Sequence, residues 1–500
     1  MHFTSLPGEF GIGDLGQCAY EFANFLSDAG QKLWQVLPVN PTGYGDSPYQ
    51  CFSAFAGNPL LISLESLRDR GLLQESDLDL ARTPPFPRDS VAFGPVIQFK
   101  MSALQRAATA FFVDASRADR AAFDQFCEHA RPWLDDFALF MALKVAHNGT
   151  AWTFWDAPIR QREADAVAQW SQKLAPQIEA CKFWQFEFFR QWELLKAYSI
   201  QRGIRFMGDV PIYVAHDSAD VWAHPELFCL DGQGKPTVVS GVPPDYFSAT
   251  GQLWGNPIYR WDVLAASGFK WWIDRFRSTL ALFDMVRLDH FRGFEAYWEV
   301  PGSEATAIHG RWVKGPGGDF LAALQQEFGE LPIVAENLGV ITPGVEELRR
   351  KFGLPGMSIL QFAFGADPQG STSRPHNYNH DLVAYTGGHD NDTTVGWWRS
   401  SGAGDSTRTA EEVRKEHEVA RAYLNFHDDS EVNWAMIRAV LASVADTAIV
   451  PLQDVLGLGS AARMNLPGTV SGNWKWRYRP GALNCELSAR LRSFVALYDR

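Results

Sequence analysis

Cysteine is scarce in this sequence, and its spacing matters as much as its number. The six residues, Cys18, Cys51, Cys127, Cys181, Cys229 and Cys485, lie far apart, with no C-x-x-C pair and no close His/Cys cluster. That argues against a zinc or disulfide framework and fits free thiols in a reducing compartment. Long apolar runs are missing as well. No stretch approaches the roughly 20 residues of a membrane span, and the first residues lack the charged start and apolar centre of a signal peptide. The expected location is the cytoplasm. Positive charge is also in deficit: 45 basic residues stand against 58 acidic ones, a formal charge of -13. This argues against general affinity for nucleic acid or anionic lipid and suits a neutral small molecule or polymer as partner.

What the chain does have is length and aromatic rings. Its 500 residues, 46% hydrophobic and 21% charged, describe a soluble globular chain long enough for one large domain with insertions or for two or three domains. The 19 Trp and 35 Phe belong mostly in the core, and Trp in excess beside polar loops suits stacking on sugar rings. A glycine-rich turn, Gly11-Ile12-Gly13-Asp14-Leu15-Gly16, precedes an amphipathic helix running to about Ala29. From about residue 60 to 200 the apolar spacing is mostly three and four, which predicts a mainly helical insertion.

Seven short runs read as strands, mostly separated by helical patterns. They are Leu33 to Val39, Arg205 to Val214, Leu282 to Asp289, Pro332 to Glu336, Ser358 to Phe362, Leu382 to Thr386 and Thr447 to Leu452. This alternation predicts an α/β fold, a TIM (β/α)8 barrel with large helical insertions. An eighth strand would have to lie before Ser5, where almost no residues remain. Either the first strand is cut short, or the barrel closes imperfectly.

The chemistry gathers at the C-terminal ends of these strands, where a barrel carries its active site. Period two along Phe283 to Phe291 puts Arg287 and Asp289 on one face and Leu288 on the other. Asp209, Glu336 with Asn337, and His389-Asp390-Asn391-Asp392 occupy corresponding positions. Several carboxylates at one mouth suit glycosyl transfer or hydrolysis, in which one attacks the sugar carbon and another protonates the leaving oxygen; a retaining pair stands only about 5 Å apart. Glu336 follows Val334 by two, so both face the barrel interior, where apolar surroundings raise a carboxyl pKa toward that of a useful acid. Competing sites fit less well. A calcium loop starting at Asp390 would need Gly at its sixth position, which is Val395. The run from Gly310 to Gly318 has neither G-x-G-x-x-G nor a P-loop lysine, and reads as a flexible surface loop. The charged run Glu411 to Glu418 reads as a solvated helix face. No metal or cofactor is expected.

Several motifs resemble those of the amylomaltases, the 4-α-glucanotransferases or disproportionating enzymes related to the α-amylases. They are Thr4-Ser5-Leu6-Pro7-Gly8, Asp46-Ser47-Pro48-Tyr49-Gln50, Ser53 to Pro59, Gly241 to Phe247, Arg287-Leu288-Asp289-His290-Phe291-Arg292-Gly293 and Trp474-Lys475-Trp476-Arg477. The resemblance runs nearly end to end, so it implies one catalytic domain over residues 1–500, with a cleft-covering region at 225–260. It implies a retaining transfer of α-1,4-glucan segments, with maltooligosaccharides, amylose or glycogen-derived glucans as partners. Matched residue by residue, Asp289 is the nucleophile, Glu336 the general acid/base and Asp390 the carboxylate that grips sugar hydroxyls. Arg287 holds Asp289 ionised. His290, His389, Asp209, Tyr44, Tyr49, Gln252, Trp254 and Asn465 are the implied substrate-binding residues, with Tyr246 and Phe247 in an aromatic lid. Three departures stand out: Asn337 where the family has Asp, Gly388 where it has Thr, and the missing strand before Thr4. Asn337 is expected to face away from Glu336, and Gly388 to loosen the loop of His389 and Asp390. Three classes remain open: a glucanotransferase, an α-glucan hydrolase with the same carboxylates, and a non-catalytic glucan-binding protein.

Overall fold

A computed structural model describes residues 1–80, 85–244, 248, 250–365, 370–402 and 408–500. All seven expected strands form: β1 (Leu33–Gln35), β2 (Arg205–Val210), β3 (Met285–Leu288), β4 (Ile333–Ala335), β5 (Gly356–Ile359), β6 (Leu382–Tyr385) and β7 (Thr447–Ile449). Each is shorter than its apolar run. β1 to β4 pair in parallel in chain order, and so do β5 to β7. The two sheets meet where the Ala335 N–H, on β4, donates to the Pro355 carbonyl just before β5.

The inner face of this array is a small apolar plug of Met207, Val334, Met357, Ile359, Val383 and Tyr385, one or two from each contributing strand. The outer face, including Phe206, Val286 and Leu288, joins the main core that the helices cover. Gly208 on β2 shows how closely the layers approach: a Cβ there would lie 2.3 Å from the Phe283 ring. Before Ser5 the chain forms a 3-10 turn, Phe3–Ser5, rather than a strand. The Met1 ammonium donates to the Gln35 carbonyl at 3.0 Å, and the Trp34 indole N–H to the Met1 carbonyl at 2.8 Å, so the first residues lie against the free side of β1.

Between residues 60 and 200 the long helices Phe93–Asp114, Arg117–Ala146 and Ala175–Ile200 pack through aromatic rings such as Phe111 and Phe183, whose centroids are 4.8 Å apart. Region 225–260 is not one loop. It supplies strands Val238–Val242 and Gln252–Pro257 to an antiparallel sheet completed by Ala296–Pro301 and Arg311–Lys314. The last of these corrects the reading of Gly310 to Gly318 as a flexible loop: its middle is an edge strand, held by cross-chain pairing that local composition does not reveal. A second correction concerns Glu411 to Glu418. Most of this face of helix Ala410–Leu424 is solvated, but Glu416 turns inward and accepts the Trp397 indole N–H at 3.2 Å.

The insertion is fastened to the N-terminal turn by a buried ion pair. Lys100, with no exposed surface, donates to Asp14 at 3.0 Å, and Asp14 also accepts the Gly16 N–H at 3.0 Å. Removing the cation would leave a buried carboxylate without its counter-charge, a loss of about 3–5 kcal/mol. Lys100→Ala is therefore expected to lower unfolding free energy by about that amount in urea titration; an unchanged midpoint would refute this role for the pair.

Candidate active site

β2 and β3 set the centre of the site by register. Asp209 and Arg287 are direct cross-strand partners, so their side chains share the inner face. One Arg287 nitrogen donates to both Asp209 oxygens at 2.9 Å, and the other reaches Asp289 at 2.8 Å, just beyond the end of β3. Burial works against the guanidinium charge, but these two carboxylates outweigh it and hold Arg287 firmly protonated. Tyr49, on the loop after β1, donates its hydroxyl to Asp209 at 2.8 Å. Asp209 was expected to bind substrate, yet its side chain has 0% exposure and does not border the cleft. It anchors Arg287 from behind. Burial pushes its pKa up to about 6, against the opposing pull of Arg287.

Glu336 begins the loop after β4. One of its oxygens accepts the His290 N–H and the other the Leu338 N–H, each at 2.8 Å. The first contact depends on an unusual backbone: His290 is left-handed, with φ 50° and ψ 48°, a region that non-glycine residues enter rarely and at a cost of about 1–3 kcal/mol. The turn carries the chain from Asp289 across to the Glu336 carboxyl. Burial raises the Glu336 pKa to about 7, with the Asp289 charge adding to it, while Arg287 and the two amides pull the other way. Burial also lowers the His290 ring to about 4, so it is neutral near pH 7. Asn337 points away from the site: its amide donates to Glu346 at 2.7 Å and its oxygen accepts the Met357 N–H at 2.8 Å.

The third carboxylate lies on the loop after β6. Asp390 keeps 53% of its side chain exposed and accepts the Asn465 amide at 2.6 Å, while His389 Nε2 lies 3.5 Å from its other oxygen. Asn465 also binds the His389 carbonyl through its backbone N–H, and Arg463 donates to the Asp390 carbonyl at 2.6 Å. The segment after β7 thus pins the loop after β6. Gly388 has no left-handed backbone, and its N–H donates to Asn391 at 2.8 Å, so the loop it begins is tied at that point as well.

Rings complete the walls. Tyr49 stacks on His389 with centroids 5.2 Å apart, and Trp474, left-handed at φ 63°, packs against both. Across the mouth, Trp254 meets His290 edge-on at 4.7 Å and donates to Gln252 at 3.2 Å. These residues, with the 77%-exposed Tyr44, border an open cleft of about 2720 Å³. Tyr246 and Phe247 lie outside the described residues. Arg463 and Trp474 were missed as site residues. Trp474 sits in the motif Trp474-Lys475-Trp476-Arg477, the signal in the sequence that points to it; Arg463 acts through backbone contacts that its neighbours in sequence do not foretell.

A row of parallel strands with acids gathered about one arginine at the mouth is an arrangement that suits an enzyme of glycosyl chemistry. The family model described as 4-alpha-glucanotransferase, glycoside hydrolase 77, matches residues 1–484. The 4-alpha-glucanotransferase of Thermus thermophilus is 52% identical over 502 residues, covering 100% of this chain and 98% of that protein. That of Synechocystis sp. is 51% identical over 503 residues, covering 100% and 97%. The amylomaltase of Streptococcus agalactiae, solved in complex with acarbose, superposes with a TM-score of 0.93 at 39% identity, covering 100% of this chain and 98% of that one. The chain belongs to the 4-alpha-glucanotransferase family.

The electrostatics make one prediction at once. The Glu336 carboxyl should titrate near pH 7 when followed by NMR of side-chain-labelled protein, and lose its proton as pH rises through that value. A midpoint near that of an exposed glutamate would contradict its burial as the governing influence.

Proposed function

We propose that this enzyme moves α-1,4-glucan segments from a donor maltodextrin to the 4-hydroxyl of glucose or another glucan, by two displacements at one sugar carbon. The observation that carries this reading is the unequal treatment of two neighbouring acids: Arg287 bonds directly to Asp289, whereas Glu336 is held by burial near a pKa of about 7. One is paired with a cation and the other is pushed toward its protonated form, the division of labour a retaining mechanism needs.

In the first step the Asp289 oxygen attacks the anomeric carbon as the glycosidic bond breaks, and Glu336 gives its proton to the leaving oxygen. The donor segment is then an ester on Asp289. In the second step Glu336, now ionised, takes the proton of the acceptor hydroxyl, whose oxygen displaces Asp289 and restores the original configuration. Asp390 and His389 hold sugar hydroxyls in the distorted ring, a role supported by the Asn465 amide on Asp390 and the Tyr49 ring on His389. Arg287 keeps Asp289 aligned, and Asp209 with Tyr49 keeps Arg287 aligned. Rings on both walls favour a bound sugar over water as acceptor. The acarbose bound by the Streptococcus agalactiae relative supports maltooligosaccharides as partners. We place the reaction in the cytoplasm on the unpaired state of all six cysteines; no helix among the described residues is long and apolar enough to cross a membrane.

Incubation with maltotriose tests the reading. Glucose and a ladder of longer maltodextrins should appear at constant total reducing ends, whereas a steady rise in reducing ends would make the enzyme a hydrolase. Asp289→Ala should abolish turnover, and Glu336→Ala should lower it by about 10²- to 10⁴-fold, each with an unchanged far-ultraviolet spectrum. Near-normal turnover by either variant would overturn its role.

A further inference from the structure

Trp312 is an exposed aromatic ring on the edge strand Arg311–Lys314. It borders the catalytic cleft with 43% of its surface exposed. Its position is built rather than incidental. Trp298 is its cross-strand partner and meets it edge-on, with centroids 5.2 Å apart at 66°. Trp298 is fixed in turn by donating its indole N–H to the Ala307 carbonyl at 2.8 Å. The guanidinium carbon of Arg292 lies 4.0 Å from the Trp312 ring centroid. Arg292 is 8% exposed, with a buried Nε that has no hydrogen-bond partner among the described residues.

The same Arg292 donates to the carbonyl of Val340, on the loop that begins with Glu336 and closes on it through the Leu338 N–H. Trp312 is therefore tied to the wall that carries the general acid. A general acid faces the leaving oxygen, so that wall flanks the leaving chain and later the incoming acceptor. Val340, 63% exposed, and Leu253, 36% exposed, also border the cleft and add apolar surface. A large exposed ring with rigid backing suits the apolar face of a sugar and requires no charged partner.

We propose that Trp312 forms a distal glucan subsite on the leaving-group and acceptor side of the cleft, engaged by long chains and out of reach of short ones. This rests on the transfer activity proposed above. The site would set chain-length preference: it adds affinity for long maltodextrins and contributes nothing to the chemical step.

Steady-state kinetics of the wild type, Trp312→Ala and Trp312→Phe, with maltotriose and with a long maltodextrin as sole substrate, tests this. For Trp312→Ala, KM for the long substrate should rise about tenfold, equivalent to about 1.4 kcal/mol, with kcat for maltotriose unchanged. Trp312→Phe should recover much of the loss. The unchanged maltotriose rate also shows that the variant is folded. Equal KM values for the long substrate in wild type and Trp312→Ala would overturn the proposal. So would a parallel fall with both substrates, which would make Trp312 a structural residue. Failure of the wild type to transfer at all would instead remove the functional reading on which the subsite rests.

Discussion

A buried guanidinium shared between two carboxylates governs this structure. Arg287 leaves only a sliver of its side chain exposed, and a charge so placed is tolerable only if its hydrogen bonds are filled. Asp209 accepts two of them and Asp289 a third. Because Asp209 and Arg287 are in register on adjacent parallel strands, the pair forms whenever β2 and β3 pair correctly. The fold therefore determines the direction of Asp289 before any sugar arrives. Tyr49 brings the loop after β1 to the same anchor, and its stacking on His389 extends the connection to the loop after β6.

The same cation moderates Glu336. Burial alone would push that carboxyl higher; Arg287 and two backbone amides restrain it to about 7, where one group can give a proton in one half-reaction and accept it in the next. One of those amides is reached only because His290 accepts a left-handed backbone. A strained residue between Asp289 and Glu336 is tolerated here because its neighbours Phe291 and Arg292 are buried and fix the turn.

Much of this was legible in the sequence because it depends on short periods. Alternation along Phe283 to Phe291 placed Arg287 and Asp289 on one face, and seven apolar runs gave seven strands. What escaped depends on contacts across long stretches of chain. The strand at Arg311–Lys314 has too little apolar alternation to announce itself and exists through its partner Ala296–Pro301. Asp209 looks from its position like a sugar ligand, but the cross-strand arginine consumes it. Glu416 sits in a run of charges that reads as solvent-facing, and only the fold brings Trp397 to it. The helical pattern of 60–200 was visible, but the Lys100–Asp14 pair that fastens it to the N-terminal turn was not.

The central claim is that Asp289, held by Arg287, is the atom source of the covalent bond. Glu336→Gln incubated with α-maltosyl fluoride, whose leaving group needs little help from an acid, should accumulate the first-step product. Peptide mass spectrometry of the quenched protein should find a maltosyl addition on the peptide containing Asp289, absent when Asp289→Ala is added to the variant. An addition on the peptide of Asp390 or Asp209 instead, or turnover of the fluoride with no protein adduct at any time point, would contradict the account.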